Sequence, residues 1–240
     1  TLLDDDDLPS VDMFTESLVI GEDVGTTTTT ITAQLSGLSG KVVTVLLSKS
    51  GSATNGVDYT LNNTITIPAG SLSSSIQLNA ISDTLNELDE SIVLTVQEIV
   101  NGTGTGQFET VTITNDDNAP TVTLFTGSEN IDEGLGTTTP VAVTAKLSAI
   151  SGLDVTVTLL KSGTATDNQD YTLSNTTILI PAGQFEASVL LFSLNDPFDE
   201  TNETVTIDID TVTNGQEAGL PLGQQKTVTL VDDEVPPTVT

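Results

Sequence analysis

The sequence contains no cysteine, no histidine, no arginine and no tryptophan. Without cysteine there is no disulfide, no thiolate nucleophile and no sulfur ligand. Without histidine the commonest general base and metal-binding imidazole is missing. Five cationic side chains, all lysine, stand against 34 acidic ones, for a formal net charge of −29 at pH 7. A chain of that sign is repelled by nucleic acid and by anionic membrane surfaces, and its natural small partners are divalent cations. No apolar run approaches the length of a membrane-spanning helix and no signal-peptide pattern is seen, so any targeting or anchoring element is expected outside this stretch. Six Phe and two Tyr are the whole aromatic complement. That is too few for the sugar platforms a glycoside-cleaving carboxylate pair would need, so an enzyme is not expected.

What the chain does contain, it contains twice. Gly51-Ser52-Ala53-Thr54-Asn55-Gly56-Val57-Asp58-Tyr59-Thr60-Leu61 returns as Gly163-Thr164-Ala165-Thr166-Asp167-Asn168-Gln169-Asp170-Tyr171-Thr172-Leu173. Ile67-Pro68-Ala69-Gly70 returns as Ile180-Pro181-Ala182-Gly183. A unit of about 110 residues is a whole domain and too long for a solenoid repeat. The boundaries read as 10–120 for the first domain and 121–237 for the second. Residues 1–9 carry the same Asp-rich, Pro-ending signature that closes both units, so they read as the tail of a preceding repeat, and 238–240 as the start of a following one.

Low hydrophobicity with high charge can signal disorder, but the patterning argues for folded strands. Val43, Val45 and Leu47 alternate with polar neighbours, and Val155, Val157 and Leu159 repeat the alternation. Ile92, Leu94 and Val96 are mirrored by Val205, Ile207 and Ile209. Period-2 runs rich in Val, Ile and Thr are half-buried strands, and helical periodicity is nowhere sustained. In the first unit the runs fall near 11–19, 27–36, 42–48, 63–67, 74–81, 91–99 and 108–114, separated by Gly, Asn, Asp, Ser and Pro clusters. The expected fold is all-β: two tandem Ig-like antiparallel β-sandwiches of about seven strands each, with aliphatic cores.

The acidic residues gather where strands end, in three clusters per unit. Gly21-Glu22-Asp23 is matched by Asp132-Glu133-Gly134. The 83–90 segment, with Asp83, Glu87 and Glu90, shares a D-x-x-x-E-x-x-E spacing with 196–203, which holds Asp196, Glu200 and Glu203. Asn115-Asp116-Asp117 follows the last strand of one unit, as Asp232-Asp233-Glu234 follows that of the other. Spacing alone leaves open whether the three clusters share one end of a sandwich.

The G-[ST]-A-T-x-x-x-D-Y block, the I-P-A-G turn, the D-x-x-x-E-x-x-E loop and the terminal acidic triplet, in that order and in two copies, resemble the Calx-β domain. That family occurs in sodium–calcium exchangers, in integrin β4 and in long bacterial surface proteins. The resemblance implies calcium ligands at Glu22, Asp83, Glu87, Glu90, Asn115, Asp116 and Asp117 in the first unit. In the second it implies Glu133, Asp196, Glu200, Glu203, Asp232, Asp233 and Glu234. Two positions depart from the richest calcium-binding members: Ser50 and Ser162 stand where an Asp can precede the Gly of the block, and the first triplet opens with the neutral Asn115. Fewer ions per domain are therefore expected. Calcium suits an all-oxygen donor set of six to eight ligands, whereas zinc would call for the absent His or Cys.

The leading expectation is a calcium-binding structural spacer in a large extracellular or cell-surface protein of the bacterial adhesin kind. Calcium would stabilise the domains and stiffen the junction between them. The expected partners are calcium ions, neighbouring repeats of the same chain and, through other domains, a cell-surface or matrix ligand; nucleic acid and direct membrane insertion are not expected. The alternatives are a regulatory calcium-sensor pair and a calcium-dependent glycan- or protein-binding module. Lys49 and Lys161 occupy the same place before Ser-Gly in both units; they read as strand-end surface lysines, with pairing to acids or an intramolecular isopeptide bond as alternatives. The threonine runs at 26–30 and 137–139 read as strand starts, since ice binding would need a long flat array.

Overall fold

The computed structural model describes residues 7–23, 25, 27–134, 139–219 and 223–236. Residues 1–6 and 238–240, expected to belong to neighbouring repeats, and Thr26, Thr137 and Thr138 lie outside the described residues. The chain divides into two compact units, one of Thr1–Thr84 with Leu88–Asp117, the other of Leu85–Glu87 with Asn118–Thr240.

The first unit holds β1 (Val11–Thr15), β2 (Val19–Gly21), β3 (Thr28–Leu35), β4 (Val43–Gly51), β5 (Tyr59–Thr60), β6 (Thr64–Ile67), β7 (Ser73–Ala80), β8 (Glu90–Val100) and β9 (Phe108–Thr114). They form two sheets, ordered β1-β3-β7-β5 and β2-β9-β8-β4-β6. Ile31, Ala33 and Leu78 from the first sheet meet Val43, Val45, Ile65, Ile92 and Leu94 from the second, all fully buried. The period-2 pattern thus does what it must in a sandwich: one face of each strand leaves water, each buried aliphatic side chain contributing about 1.5–3 kcal/mol. Apart from Met13 and Tyr59 the core is aliphatic.

The second unit repeats the plan with β10 (Thr121–Thr126), β11 (Asn130–Asp132), β12 (Val141–Leu147), β13 (Val155–Gly163), β14 (Tyr171–Leu173), β15 (Thr177–Ile180), β16 (Glu186–Ser193), β17 (Glu203–Thr213), β18 (Gln216–Glu217) and β19 (Lys226–Val231). Its sheets run β14-β16-β12-β10-β18 and β11-β19-β17-β13-β15.

Two features depart from the strand runs read off the sequence. The run at 11–19 is divided: β1 pairs antiparallel with β3, while β2 leaves for the other sheet and lies parallel to β9. The crossing is held by polar bonds. The Ser17 amide donates to Thr29 Oγ1 at 2.9 Å and the Thr29 hydroxyl donates back to the Ser17 carbonyl at 3.0 Å. Thr29 is buried, and this exchange satisfies its hydroxyl. Second, β5 has two residues, too few to show any alternation.

The glycine opening each repeated block has a definite task. Gly51 and Gly163 both adopt φ of +121°, at the ends of β4 and β13. A β-carbon at Gly51 would sit 2.1 Å from the Ser91 carbonyl oxygen, and at Gly163 2.1 Å from that of Thr204. The close approach lets the following loop bond to the neighbouring long strand: the Ala53 amide donates to Ser91 O, and the Ala165 amide to Thr204 O, each at 3.1 Å. Gly51→Ala and Gly163→Ala should each cost about 3 kcal/mol, from left-handed strain plus backbone collision. Gly56→Ala, at φ +90° with open space around it, should cost about 1 kcal/mol. Urea unfolding of the three variants checks the ranking, and equal losses would contradict it.

Candidate metal centre

In each unit the acidic segments meet at one end of the sandwich, and the parallel strand is the reason. β2 runs beside β9 with Gly21 opposite Thr114, so Glu22 leaves the sheet beside Asn115; the Glu22 amide donates to Thr114 O at 3.2 Å. β8 runs antiparallel to β9 with Glu90 opposite Ile113, which brings the segment before β8 to the same end. The second unit repeats this. Asp132 lies opposite Val231, the Glu133 amide donates to Val231 O at 3.0 Å, and Glu203 lies opposite Leu230.

Carboxylate oxygens of Glu22, Asp83 and Asp117 lie within 4.8 Å of one another, and so do those of Glu133, Asp232 and Glu234. Among the other expected residues, several act as braces in this geometry. Asp116 Oδ2 accepts from the Asp23 amide at 3.2 Å, and the Asn115 side-chain amide donates to the Asp117 carbonyl at 3.2 Å. Asp232 also accepts from the Glu200 amide at 3.0 Å, and Asp196 closes its own turn by accepting from the Phe198 amide at 2.8 Å. Asp233 lies against Gly134, its Oδ2 3.2 Å from where a β-carbon would stand. Glu87 falls in the short segment Leu85–Glu87, which is grouped with the second unit.

Sequence reasoning missed four residues here. Asp58, of the repeated Asp-Tyr pair, brings a carboxylate oxygen within 4.8 Å of one from Glu90, and its counterpart Asp170 lies close enough to Glu203 to raise that carboxyl. The repeated Asp-Tyr pair carries the signal: Tyr59 and Tyr171 are buried core residues, and the aspartate before each is carried outward to the cluster. Asp89 and Asn202, at equivalent positions, brace the terminal triplets. Asp89 Oδ1 accepts from the Asn115 amide at 3.0 Å and Asn202 Oδ1 from the Asp232 amide at 3.3 Å.

The clusters are electrostatically unfavourable by themselves. Glu133 is 8% exposed. Its burial, followed by the charges of Asp232, Asp196, Glu200 and Asp170, pushes its carboxyl from 4.5 up to about 7. Burial, then Asp83, Asp116 and Asp23, raise Asp117; burial, then the hydrogen bond and charge of Asp170 and the charge of Glu200, raise Glu203. One oxygen of each, Asp117 Oδ2 and Glu203 Oε2, is buried with no hydrogen-bond partner. Buried polar atoms are almost always satisfied. A cation taking several oxygens at variable geometry would satisfy them, and the donor set is all oxygen, which fits calcium. The ion pairs Lys146–Glu186 and Lys161–Asp167 use other carboxylates. Among the described residues no helix is long and apolar enough to cross a membrane.

Comparison with known proteins agrees with the doubled architecture. The family model described as the Calx-beta domain matches residues 4–117 and again 115–234. No curated protein matches the chain. Solved structures that match the chain include CBD12 from CALX1.2, at 15% identity over 91% of this chain and 98% of that one, with a TM-score of 0.38. The calcium binding domain CBD12 of CALX1.1 is 16% identical over 91% and 99%, with a TM-score of 0.39. The Yersinia pseudotuberculosis adhesin InvE is 13% identical over 92% of this chain and 58% of that one, with a TM-score of 0.37. At such identities and scores these likenesses carry nothing about function.

The raised carboxyl of Glu133 gives a pH dependence with a definite sign. Its folded value lies above its unfolded one, so between pH 4.5 and about 7 the folded chain holds more protons. Stability in EDTA should therefore fall as pH rises through that window, by roughly 2–3 kcal/mol. Glu133→Gln should flatten this dependence. Melting curves in EDTA from pH 5 to 8 check it; a parental slope retained in the variant would contradict the assignment.

Proposed function

Because the chain belongs to the Calx-beta family, which it carries in two tandem copies, we propose that it is a pair of calcium-binding spacer domains of an extracellular or cell-surface protein. The role is binding and mechanical, with no catalysis. The observation that carries the calcium reading is the pair of buried, unpartnered carboxylate oxygens, Asp117 Oδ2 and Glu203 Oε2, each within a crowd of acids.

Two carboxylates about 4 Å apart repel by roughly 4 kcal/mol at an effective dielectric of 20. A divalent cation between them reverses the sign of that interaction, so binding and local ordering are coupled. In the first unit the ligands would be Glu22, Asp83 and Asp117, with Glu90 and Asp58 at the neighbouring pair. In the second they would be Glu133, Asp232 and Glu234, with Glu203 and Asp170. Asn115 serves as a brace in this reading, and Asp116, Asp196, Glu200 and Asp233 contribute charge around the ions.

The spacer role is supported by repetition and by the linker. Asp117 is followed by Asn118, Ala119 and Pro120 before β10 begins at Thr121. A connection this short, ending in proline, has little freedom of its own. Calcium held at Asp117 would fix the direction in which the chain leaves the first unit.

A ligand bound only by the native state adds about 2.7 kcal/mol of stability at 100 times its dissociation constant. Millimolar calcium should therefore raise the melting temperature by many degrees over EDTA, with calorimetry showing uptake in both units. Asp117→Asn should weaken uptake by the first unit alone and Glu133→Gln by the second alone. Unchanged melting between EDTA and calcium would sink the reading. Small-angle scattering should show a narrower distribution of dimensions with calcium; coincident profiles in a chain that binds calcium would reject the stiffening while leaving the binding intact.

A further inference from the structure

Two of the five lysines in this chain stand at one repeated position, near the ends of β4 and β13. Both are engaged, and both act on the same loop. Lys161 Nζ donates to Asp167 Oδ2 at 2.6 Å and lies 5.9 Å from the centre of the Tyr171 ring. Lys49 Nζ donates to the Leu61 carbonyl at 2.7 Å, and the Leu61 amide donates to Asn55 Oδ1 at 3.2 Å. Asn55 is the counterpart of Asp167 in the repeated block. One lysine therefore grips the start of the loop and the other its end.

The loop so held is the one that carries Asp170 or Asp58. Within it the Asn168 amide donates to the Tyr171 carbonyl at 2.8 Å and the Asp170 amide to Thr166 O at 3.0 Å; Gly56 and Asp58 donate to Tyr59 and Thr54 in the same way, at 2.7 and 3.0 Å. The loop is thus a tight knot on two anchors, the buried tyrosine and the lysine. Asp170 then reaches Glu203, and Asp58 reaches Glu90.

From this geometry we infer that Lys49 and Lys161 are positioning residues for cation binding: each holds the Asp-Tyr loop so that its aspartate faces the glutamate at the start of the neighbouring long strand. The inference rests on the calcium reading above. Carboxylates that repel one another will splay unless their loops are restrained, and a binding loop that must be ordered on binding weakens affinity by the cost of ordering it. The groups whose charges bear on Glu203 are Asp170 and Glu200, both acidic, so Lys161 acts on the cluster through the loop and not as a nearby countercharge. The isopeptide alternative is not needed: an ion pair at Asp167 and a carbonyl bond at Leu61 already account for both amines.

The test is calcium titration calorimetry on the full chain carrying Glu22→Gln and Asp117→Asn, so that uptake reports the second unit. Adding Lys161→Met should weaken that uptake about tenfold, the size expected for losing one charge-assisted hydrogen bond. Adding Lys161→Arg instead, which keeps the pairing with Asp167, should leave affinity within about twofold of the background, since a tenfold change needs the whole bond. The melting temperature in EDTA should be nearly the same in all three proteins, because the lysine orders a surface loop and not the core. Equal affinity for the background and Lys161→Met overturns the assignment, as does Arg binding as weakly as Met, or a loss of stability in EDTA as large as that in calcium. Absence of calcium uptake by the background and by the unvaried chain alike would instead remove the calcium reading itself.

Discussion

The site depends on one short parallel pairing. A three-residue strand, β2 in the first unit and β11 in the second, abandons the sheet of the strand before it and lies along the last strand of the other sheet. Had residues 19–21 continued β1 along β3, Glu22 would leave from the other sheet, away from Asn115–Asp117. The crossing requires the backbone to break its ladder in a partly buried place, where unpaired polar groups are costly. The reciprocal Ser17–Thr29 bonds meet that requirement. A polar exchange between one hydroxyl and the backbone of one residue thus underlies the gathering of charge some residues further on.

Gathering carboxylates works against folding, and the fold tolerates it because the cores lie elsewhere. Ile92, Leu94, Val111 and Ile113 are buried on strands that lead directly into the acidic end, as are Val205, Ile207, Val228 and Leu230. Those aliphatic faces hold β8 on β9 and β17 on β19 while their ends carry like charges. Rigid strands deliver the acids, and the loops between them bear the repulsion. The raised carboxyls of Asp117, Glu133 and Glu203 are the record of that conflict. Strain kept at one end of a well-packed scaffold is what a cation-dependent element needs, since the same groups that destabilise the empty state stabilise the filled one.

The two units solve the problem with different detail. The first triplet opens with Asn115, whose side-chain amide donates to the Asp117 carbonyl. The second opens with Asp232, whose carboxylate joins Glu133 and Glu234. The second unit thus places one more charge at this position, and it is there that the early glutamate is buried and most strongly raised. On the calcium reading, this asymmetry makes the second unit the one more dependent on its ion.

Much of this was legible in the chain because it is written in short-range terms. Alternation at Val43-Val45-Leu47 and Ile92-Leu94-Val96 reports a sandwich directly, since a strand exposes one face whatever lies across from it. The doubled block and the acidic clusters reported the repeat and the candidate ligands, and Glu22, Asp83, Asp117, Glu133, Asp232 and Glu234 do come together. What the sequence could not supply was pairing between distant strands. The break in 11–19, the parallel course of β2 and the convergence of the clusters follow from which strand lies beside which, and period-2 patterning is the same for a parallel or an antiparallel neighbour. Asp58 and Asp170 were hidden for the same reason. Beside a tyrosine in a repeated block they read as packing, and only the close approach of Gly51 to Ser91, and of Gly163 to Thr204, turns that loop toward Glu90 and Glu203. Residue type and spacing determined what chemistry this chain could host; the register of one three-residue strand and the approach of one glycine decided where.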